Sequence, residues 1–175
     1  YVANKLMKGF IGSANIDTNS RLCMASAVAG HKRAFGADVV PCNYTDLEDA
    51  DLIVLVGSNL AWCHPVLFQR LQAAREKRGS KLVVIDPRRT ATAECADLYL
   101  QIKSGSDVSL FNGLLRHLYI HGEIDSQFVF AHTEGLAATM LVADQHDESR
   151  VATYTGLAPD QLLEFYQLFA AHAKT

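Results

Sequence analysis

The chain predicts an α/β fold: a mainly parallel sheet flanked by helices, in the Rossmann-like manner. Three observations lead there. Two short apolar runs, Leu52-Ile53-Val54-Leu55-Val56 and Leu82-Val83-Val84-Ile85, lack the alternation of a strand with one wet face, so each reads as a strand buried on both sides. Between them lies a helical stretch with Pro65 at its start and Gly79 past its end, the usual asymmetry of helix punctuation. After the second strand a third short apolar run, Leu98 to Ile102, is followed by another helical pattern. That rhythm of strands separated by crossovers is the signature of a parallel sheet.

Taken in order, Val2 to Ile11 carries Leu6, Met7, Phe10 and Ile11 at helical spacing and stops at Gly12. Ala25 to Phe35 reads as a second helix closed by Gly36, and Pro41 to Ala50 as a polar connection containing Asp46, Glu48 and Asp49. The first strand ends at Gly57, and Pro65 opens a helix over Val66 to Lys77. Ser106 or Asp107 is placed to cap a helix over Val108 to Ile120, whose Leu110, Leu114, Leu115 and Leu118 share one face. Ile124 to Phe130, Leu136 to Ala143 and Gln161 to Ala171 look helical, the last opened by Ala158-Pro159-Asp160.

With 175 residues, 49% of them hydrophobic, the chain has material for one core, and a single domain over 1–175 is expected, mainly helical over 121–175. A net charge of -3 with both signs scattered argues against binding a nucleic-acid backbone. The longest apolar run is far too short to cross a bilayer, so membrane insertion is not expected, and no charged-then-apolar leader is visible. The four cysteines, Cys23, Cys42, Cys63 and Cys95, lack the paired spacing of a zinc or iron–sulfur site and point to a reducing, cytoplasmic setting. The start at Tyr1 and the finish within a helical pattern lead us to expect a piece of a longer protein.

The residues with most chemical content lie in Asn19-Ser20-Arg21-Leu22-Cys23-Met24. A thiol between a polar turn and a small-residue helix sits near the positive end of the helix dipole, which favours the thiolate that binds metals. The same cysteine also suits a small buried apolar position, and Met24 suits core filling. Three loops then follow strand ends, where ligands gather in parallel sheets. Gly57-Ser58-Asn59, continuing to Trp62-Cys63-His64, combines close backbone approach with polar side chains. Asp86-Pro87-Arg88-Arg89-Thr90 sets a carboxylate beside guanidinium groups. Lys103-Ser104-Gly105-Ser106-Asp107 is a turn into a helix, suited to anion contacts through backbone N–H groups. Each also has an ordinary reading as a turn or cap, Trp62 suits either a pocket or simple packing, and His64 suits a structural bond as well as a pocket. His31, His117, His121, His132, His146 and His172 fit no ligand spacing and read as surface or capping residues. No G-x-G-x-x-G is present, so a nicotinamide or flavin site has no direct support.

Arg21-Leu22-Cys23-Met24-Ala25-Ser26-Ala27-Val28-Ala29-Gly30, then Gly57-Ser58-Asn59, Cys63-His64-Pro65, Val84-Ile85-Asp86-Pro87-Arg88-Arg89-Thr90-Ala91-Thr92-Ala93, Ala96-Asp97 and Ser104-Gly105-Ser106-Asp107 together resemble the molybdenum-bis(molybdopterin guanine dinucleotide) oxidoreductases. Within them the catalytic subunits of bacterial nitrate reductases are the nearest likeness. The resemblance implies that Cys23 is the metal ligand, with Met24 and Arg21 beside it at the catalytic centre. It implies that Gly57, Ser58, Asn59, His64, Asp86, Pro87, Arg88, Thr90, Gly105 and Asp107 hold one pterin guanine dinucleotide.

Cys-Met, where formate dehydrogenases typically have histidine after the ligand, favours nitrate as substrate, reduced to nitrite by oxygen-atom transfer. The resemblance further implies an electron-donor protein or domain, cytoplasmic assimilatory use, and a [4Fe-4S] cluster bound by a cysteine motif outside these residues. A fragment without that module and without the domain that closes over the cofactor is expected to be inactive alone. Two alternatives stand beside this: a formate dehydrogenase of the same superfamily, and a non-catalytic nucleotide-binding domain as in thiamine-diphosphate enzymes, which has no reason to keep the Arg21–Met24 turn.

Overall fold

The computed structural model describes residues 1–18, 20–39 and 41–175, without the side chains of Arg21 and Cys23. The described chain divides into two compact units, Tyr1–Asn43 and Tyr44–Thr175.

In the first unit, α1 (Val2–Asn4) runs on into a π-helical stretch, Lys5–Ile11, that stops at Gly12 with φ 72°. The expected helix is therefore present with a wider winding than its spacing implied. A single turn, α2 (Ser20–Cys23), precedes α3 (Ala25–Phe35), which ends as expected at Gly36, φ 78°. Positive φ is the conformation that glycine adopts without a Cβ clash, and it is a frequent helix terminator. No described residue of this unit is buried, and Leu6, Phe10 and Phe35 are exposed.

The second unit opens on α4 (Tyr44–Asp49), where a polar connection was expected. The helix is too short to carry an apolar period, and its partner is distant in sequence: Glu48 Oε1 accepts from Arg70 Nε at 2.5 Å, and the Arg70 guanidinium lies 5.7 Å from the Tyr44 ring centre. Then come β1 (Leu52–Val56), α5 (Leu60–Cys63), α6 (Pro65–Arg78) and β2 (Lys81–Ile85). A 3-10 turn, Ala93–Cys95, leads to β3 (Leu98–Leu100). The rest is helical: α7 (Asp107–Ile120), α8 (Ser126–His132), α9 (Leu136–Ala143), α10 (Glu148–Thr155) and α11 (Pro159–Ala171).

The three strands form a parallel sheet in the order β1-β2-β3, with Leu52 opposite Lys81 and Val83 opposite Leu98. Successive side chains of a strand face opposite sides, and both sides are covered. Val83 and Ile85 pack with Leu98, Leu100, Leu110, Leu162 and Phe165, while Leu82 and Val84 pack with Ile53, Leu60 and Leu71. The α/β class with a parallel sheet between helices is thus present. Full burial holds for β2. In β1, an edge of the described sheet, only Leu52 and Ile53 are buried and Val56 is exposed. The amino end of β1 is tied by the Lys174 carbonyl, which accepts from the N–H groups of Asp51 (2.9 Å) and Leu52 (3.1 Å).

Three further readings change. Ser106 stands at the N-cap position of α7, but its hydroxyl donates backward to the Lys103 carbonyl at 2.6 Å and caps nothing. Helix α10 had no expected counterpart, although Asp147 caps it by accepting from the Arg150 N–H at 2.8 Å. His117, grouped with the surface histidines, is buried 4.1 Å from the His121 ring and 5.1 Å from the Tyr166 ring. Burial and neighbouring His121 lower its pKa, partly opposed by Glu148 and Glu123. His121, His146 and His172 do cap: the Nδ1 of each pairs with the carbonyl four residues earlier, at 2.8, 3.0 and 2.6 Å.

Candidate functional site

The strand sequences end in register, so the residues after them lie along one edge. Gly57 continues the ladder past β1 by donating to the Ile85 carbonyl at 2.8 Å, and Asp86 continues it past β2 by donating to the Leu100 carbonyl at 3.2 Å. Gly57 has φ 58°, and a Cβ placed there meets nothing within 4 Å. The backbone is therefore bare to a ligand approaching this edge.

Asp86 anchors the second loop. Its Oδ1 accepts the Arg88 N–H at 2.7 Å, an Asx-type turn that directs the chain away from the sheet. Its carbonyl accepts from the Tyr99 hydroxyl at 2.9 Å, and the Pro87 carbonyl accepts from Gln101 Nε2 at 3.0 Å. Arg88 and Arg89 are exposed, and the Arg89 guanidinium lies 5.9 Å from the Tyr99 ring centre. Burial and the Asp86 carboxylate raise the Tyr99 pKa, opposed by Arg89, so the phenol keeps the proton it donates. Thr90 is buried, and its hydroxyl accepts the Ala93 N–H at 3.3 Å, turning the loop into the 3-10 helix.

The first loop is fastened to the second. Thr92, fully buried, accepts the Ala61 N–H at 3.0 Å and donates to Asn59 Oδ1 at 3.1 Å. Ser58 and Asn59 are half-buried. His64 precedes Pro65 at the start of α6 and is exposed, opening on a recess of ≈ 380 Å³ whose lining includes Tyr44, Cys63 and Arg70. The Trp62 side chain is exposed.

In the third loop Gly105 has φ 81° with open space where a Cβ would stand, and Asp107 begins α7. Lys103 is committed elsewhere: its Nζ donates to the Thr153 carbonyl at 3.1 Å and its stem packs on Gly156. An ammonium at the C-terminal turn of α10 complements that end of the helix dipole.

The structure thus brings Gly57, Asn59, Asp86, Pro87, Arg88 and Thr90 to one sheet edge, with Gly105 and Asp107 beyond β3. Thr92, Tyr99 and Gln101 hold this edge and were not singled out from sequence. The signal for Tyr99 was a phenol inside an apolar strand, whose polar tip requires a partner when partly buried. Cys23, the expected metal ligand, ends α2, one residue ahead of the Met24 N-cap of α3. Its side chain and that of Arg21 lie outside the described residues, as does Asn19; Met24 is exposed. Among the described residues no group of three His, Cys, Asp or Glu side chains is arranged to hold a metal ion. Cys42, Cys63 and Cys95 are free and exposed. No helix of the described residues is long and apolar enough to cross a membrane.

What the edge offers is a bare backbone at two glycines, a carboxylate able to accept from hydroxyl or amide groups, and exposed guanidinium groups for anionic oxygens. That mixture has the donors and acceptors that a nucleotide-containing cofactor requires.

Comparison with known proteins agrees. Residues 1–148 match the family described as molybdopterin oxidoreductase. The nitrate reductase of Shewanella frigidimarina is 54% identical over 176 residues, 99% of this chain and 19% of that protein. The nitrate reductase of Klebsiella oxytoca is 55% identical over 172 residues, 98% of this chain and likewise 19% of that protein. Among solved structures, acetylene hydratase from Pelobacter acetylenicus superposes with a TM-score of 0.75 at 28% identity, over 93% of this chain and 22% of that one. The chain therefore spans about a fifth of the length of the curated relatives it matches. A parallel sheet with bare glycine turns beyond its strand ends and a family match over residues 1–148 lead to one conclusion: this chain belongs to the molybdopterin oxidoreductase family.

Proposed function

We propose that the full-length protein reduces nitrate to nitrite at a molybdenum centre carried by bis(molybdopterin guanine dinucleotide), and that this chain supplies part of the cofactor's seat. The observation that carries the reading is the strand-end edge, where Asp86 stands beside the bare backbone of Gly57 and the exposed Arg88. The high identity to nitrate reductases supports the choice of substrate.

When bound, the cofactor would supply oxygen-transfer chemistry, by which nitrate with two protons and two electrons from the electron donor becomes nitrite and water. The chain's own residues do the holding. The Asp86 carboxylate accepts hydrogen bonds from ribose hydroxyls or a base edge, while Arg88 and Arg89 neutralise phosphate oxygens. Gly57 and Gly105 admit the ligand close to the main chain. Ser58, Asn59, His64 and Asp107 provide polar groups along the same loops, with Pro87 and Thr90 holding the turn. Cys23 would contribute a thiolate sulfur to the metal, with Met24 and Arg21 as its neighbours in the sequence at the catalytic centre. The [4Fe-4S] cluster and the closing segments belong to the rest of the protein, and a donor protein or domain supplies the electrons. Cytoplasmic, assimilatory use is part of this reading, and cell fractionation of the full-length protein tests it.

The decisive experiment is Cys23→Ala in the full-length enzyme, assayed with nitrate and formate side by side and examined by molybdenum X-ray absorption. We expect loss of one sulfur scatterer and a fall in nitrite production beyond the roughly 10–100-fold that even outer partners of a metal site cost. Normal nitrite production by the variant overturns the assignment of Cys23, and formate oxidation without nitrate reduction by the unsubstituted enzyme assayed beside it overturns the substrate.

A further inference from the structure

Helix α5 is capped by a residue from another loop. Ala61 is the second residue of α5, so its N–H is one of the donors that an N-cap side chain ordinarily satisfies. Asn59 occupies the N-cap position, yet its side chain makes no cap bond. Instead the Ala61 N–H donates to Thr92 Oγ1 at 3.0 Å, and the Thr92 hydroxyl donates to Asn59 Oδ1 at 3.1 Å. Thr92 is fully buried and lies 31 residues beyond Ala61 and 33 beyond Asn59, in the crossover between β2 and β3. A hydroxyl has one proton. That proton goes to the Asn59 carboxamide oxygen, which leaves the carboxamide nitrogen as the donor of that side chain not used in the bond to Thr92.

We propose that Thr92 is a positioning residue for the cofactor: it locks the Gly57–His64 loop to the Asp86–Thr90 loop and orients Asn59 as a hydrogen-bond donor toward the bound guanine dinucleotide. The proposal rests on the cofactor reading above. A purely structural buried hydroxyl predicts lost stability alone; a positioning role predicts weaker cofactor retention beyond what lost stability explains.

The test uses the full-length enzyme with Thr92→Val, which keeps the shape and removes the hydroxyl, and Thr92→Ser, which keeps the hydroxyl. Thr92→Ala serves the same purpose as valine if the valine variant does not fold. The control is Ser80→Ala, which removes a buried hydroxyl bonded to the Ala50 carbonyl at 2.7 Å, ahead of β2 at the opposite end of the sheet. Bound guanine nucleotide per chain, its release rate and the melting temperature are measured for each. We expect Thr92→Val to release the nucleotide about tenfold faster, as loss of one or two buried hydrogen bonds implies, with Thr92→Ser near wild type and Ser80→Ala losing stability without faster release. Wild-type retention by Thr92→Val, or equally fast release by Ser80→Ala or Thr92→Ser, overturns the proposal while leaving the cofactor reading intact. A wild-type enzyme that holds no guanine nucleotide overturns both.

Discussion

Gly113→Ala separates helix propensity from tertiary packing by the sign of its effect. Gly113 lies in the middle of α7 with an ordinary helical backbone, where alanine by itself is favoured over glycine by about 1 kcal/mol. In the folded chain, however, a Cβ at this position overlaps the Tyr166 hydroxyl and lies 2.7 Å from Val151 Cγ2. Both neighbours are held: Tyr166 donates to the Leu110 carbonyl at 3.2 Å, and both side chains are buried. Overpacking of this kind costs ~1–3 kcal/mol, and displacing the tyrosine forfeits a buried hydrogen bond of ~1 kcal/mol. After subtracting the propensity gain, the variant is expected to lose ~1–3 kcal/mol, or roughly 4–8 °C in melting temperature at the middle of that range. Guanidinium titration followed by circular dichroism measures it. The same substitution in a Tyr166→Phe background should cost less, because the overlapping oxygen is gone. An alanine variant as stable as the parent, or more so, would refute the packing argument.

Two pH effects follow from the same reasoning. Burial alone would raise Asp97, but the Leu82 N–H at 2.8 Å, Arg75 at 2.6 Å and Lys81 at 3.3 Å outweigh it and hold the carboxyl below its ordinary value. A depressed carboxylate stabilises above its unfolded pKa and loses that contribution as pH falls through the folded value. Asp97→Asn should therefore cost about 1 kcal/mol near neutrality, allowing for solvent screening, and nothing at strongly acid pH; equal losses at both would discard the linkage. His117, lowered by burial, likewise favours the folded state while neutral, so its contribution falls as pH drops below its unfolded pKa of about 6.5. His117→Phe should flatten the stability profile of the second unit below that point, and parallel profiles for parent and variant would remove His117 as the cause.

Much of this architecture was legible without coordinates because its signals are local. The apolar runs of β1 and β2, Pro65 and Gly79 around α6, and Ala158-Pro159 at α11 act over a few residues. Their physics needs no partner. What escaped was what distant partners decide. Helix α4 forms against Arg70 of α6, and His117 is buried by α10 and α11. Helix α10 is the exception, since its Asp147 cap was a local signal passed over.

The same division runs through the candidate site. Sequence alone determined which residue types follow each strand, Gly57 after β1, Asp86 after β2 and Gly105 after β3. Only the tertiary structure decided what the loops around them do: Lys103 is drawn to the carbonyls of α10, and Thr92 joins two loops more than thirty residues apart. The physical reason is range. Backbone preferences and hydrophobic period act between near neighbours, whereas a buried hydroxyl must find its partner wherever packing brings one, because leaving it unpaired away from water costs more than the bond itself contributes.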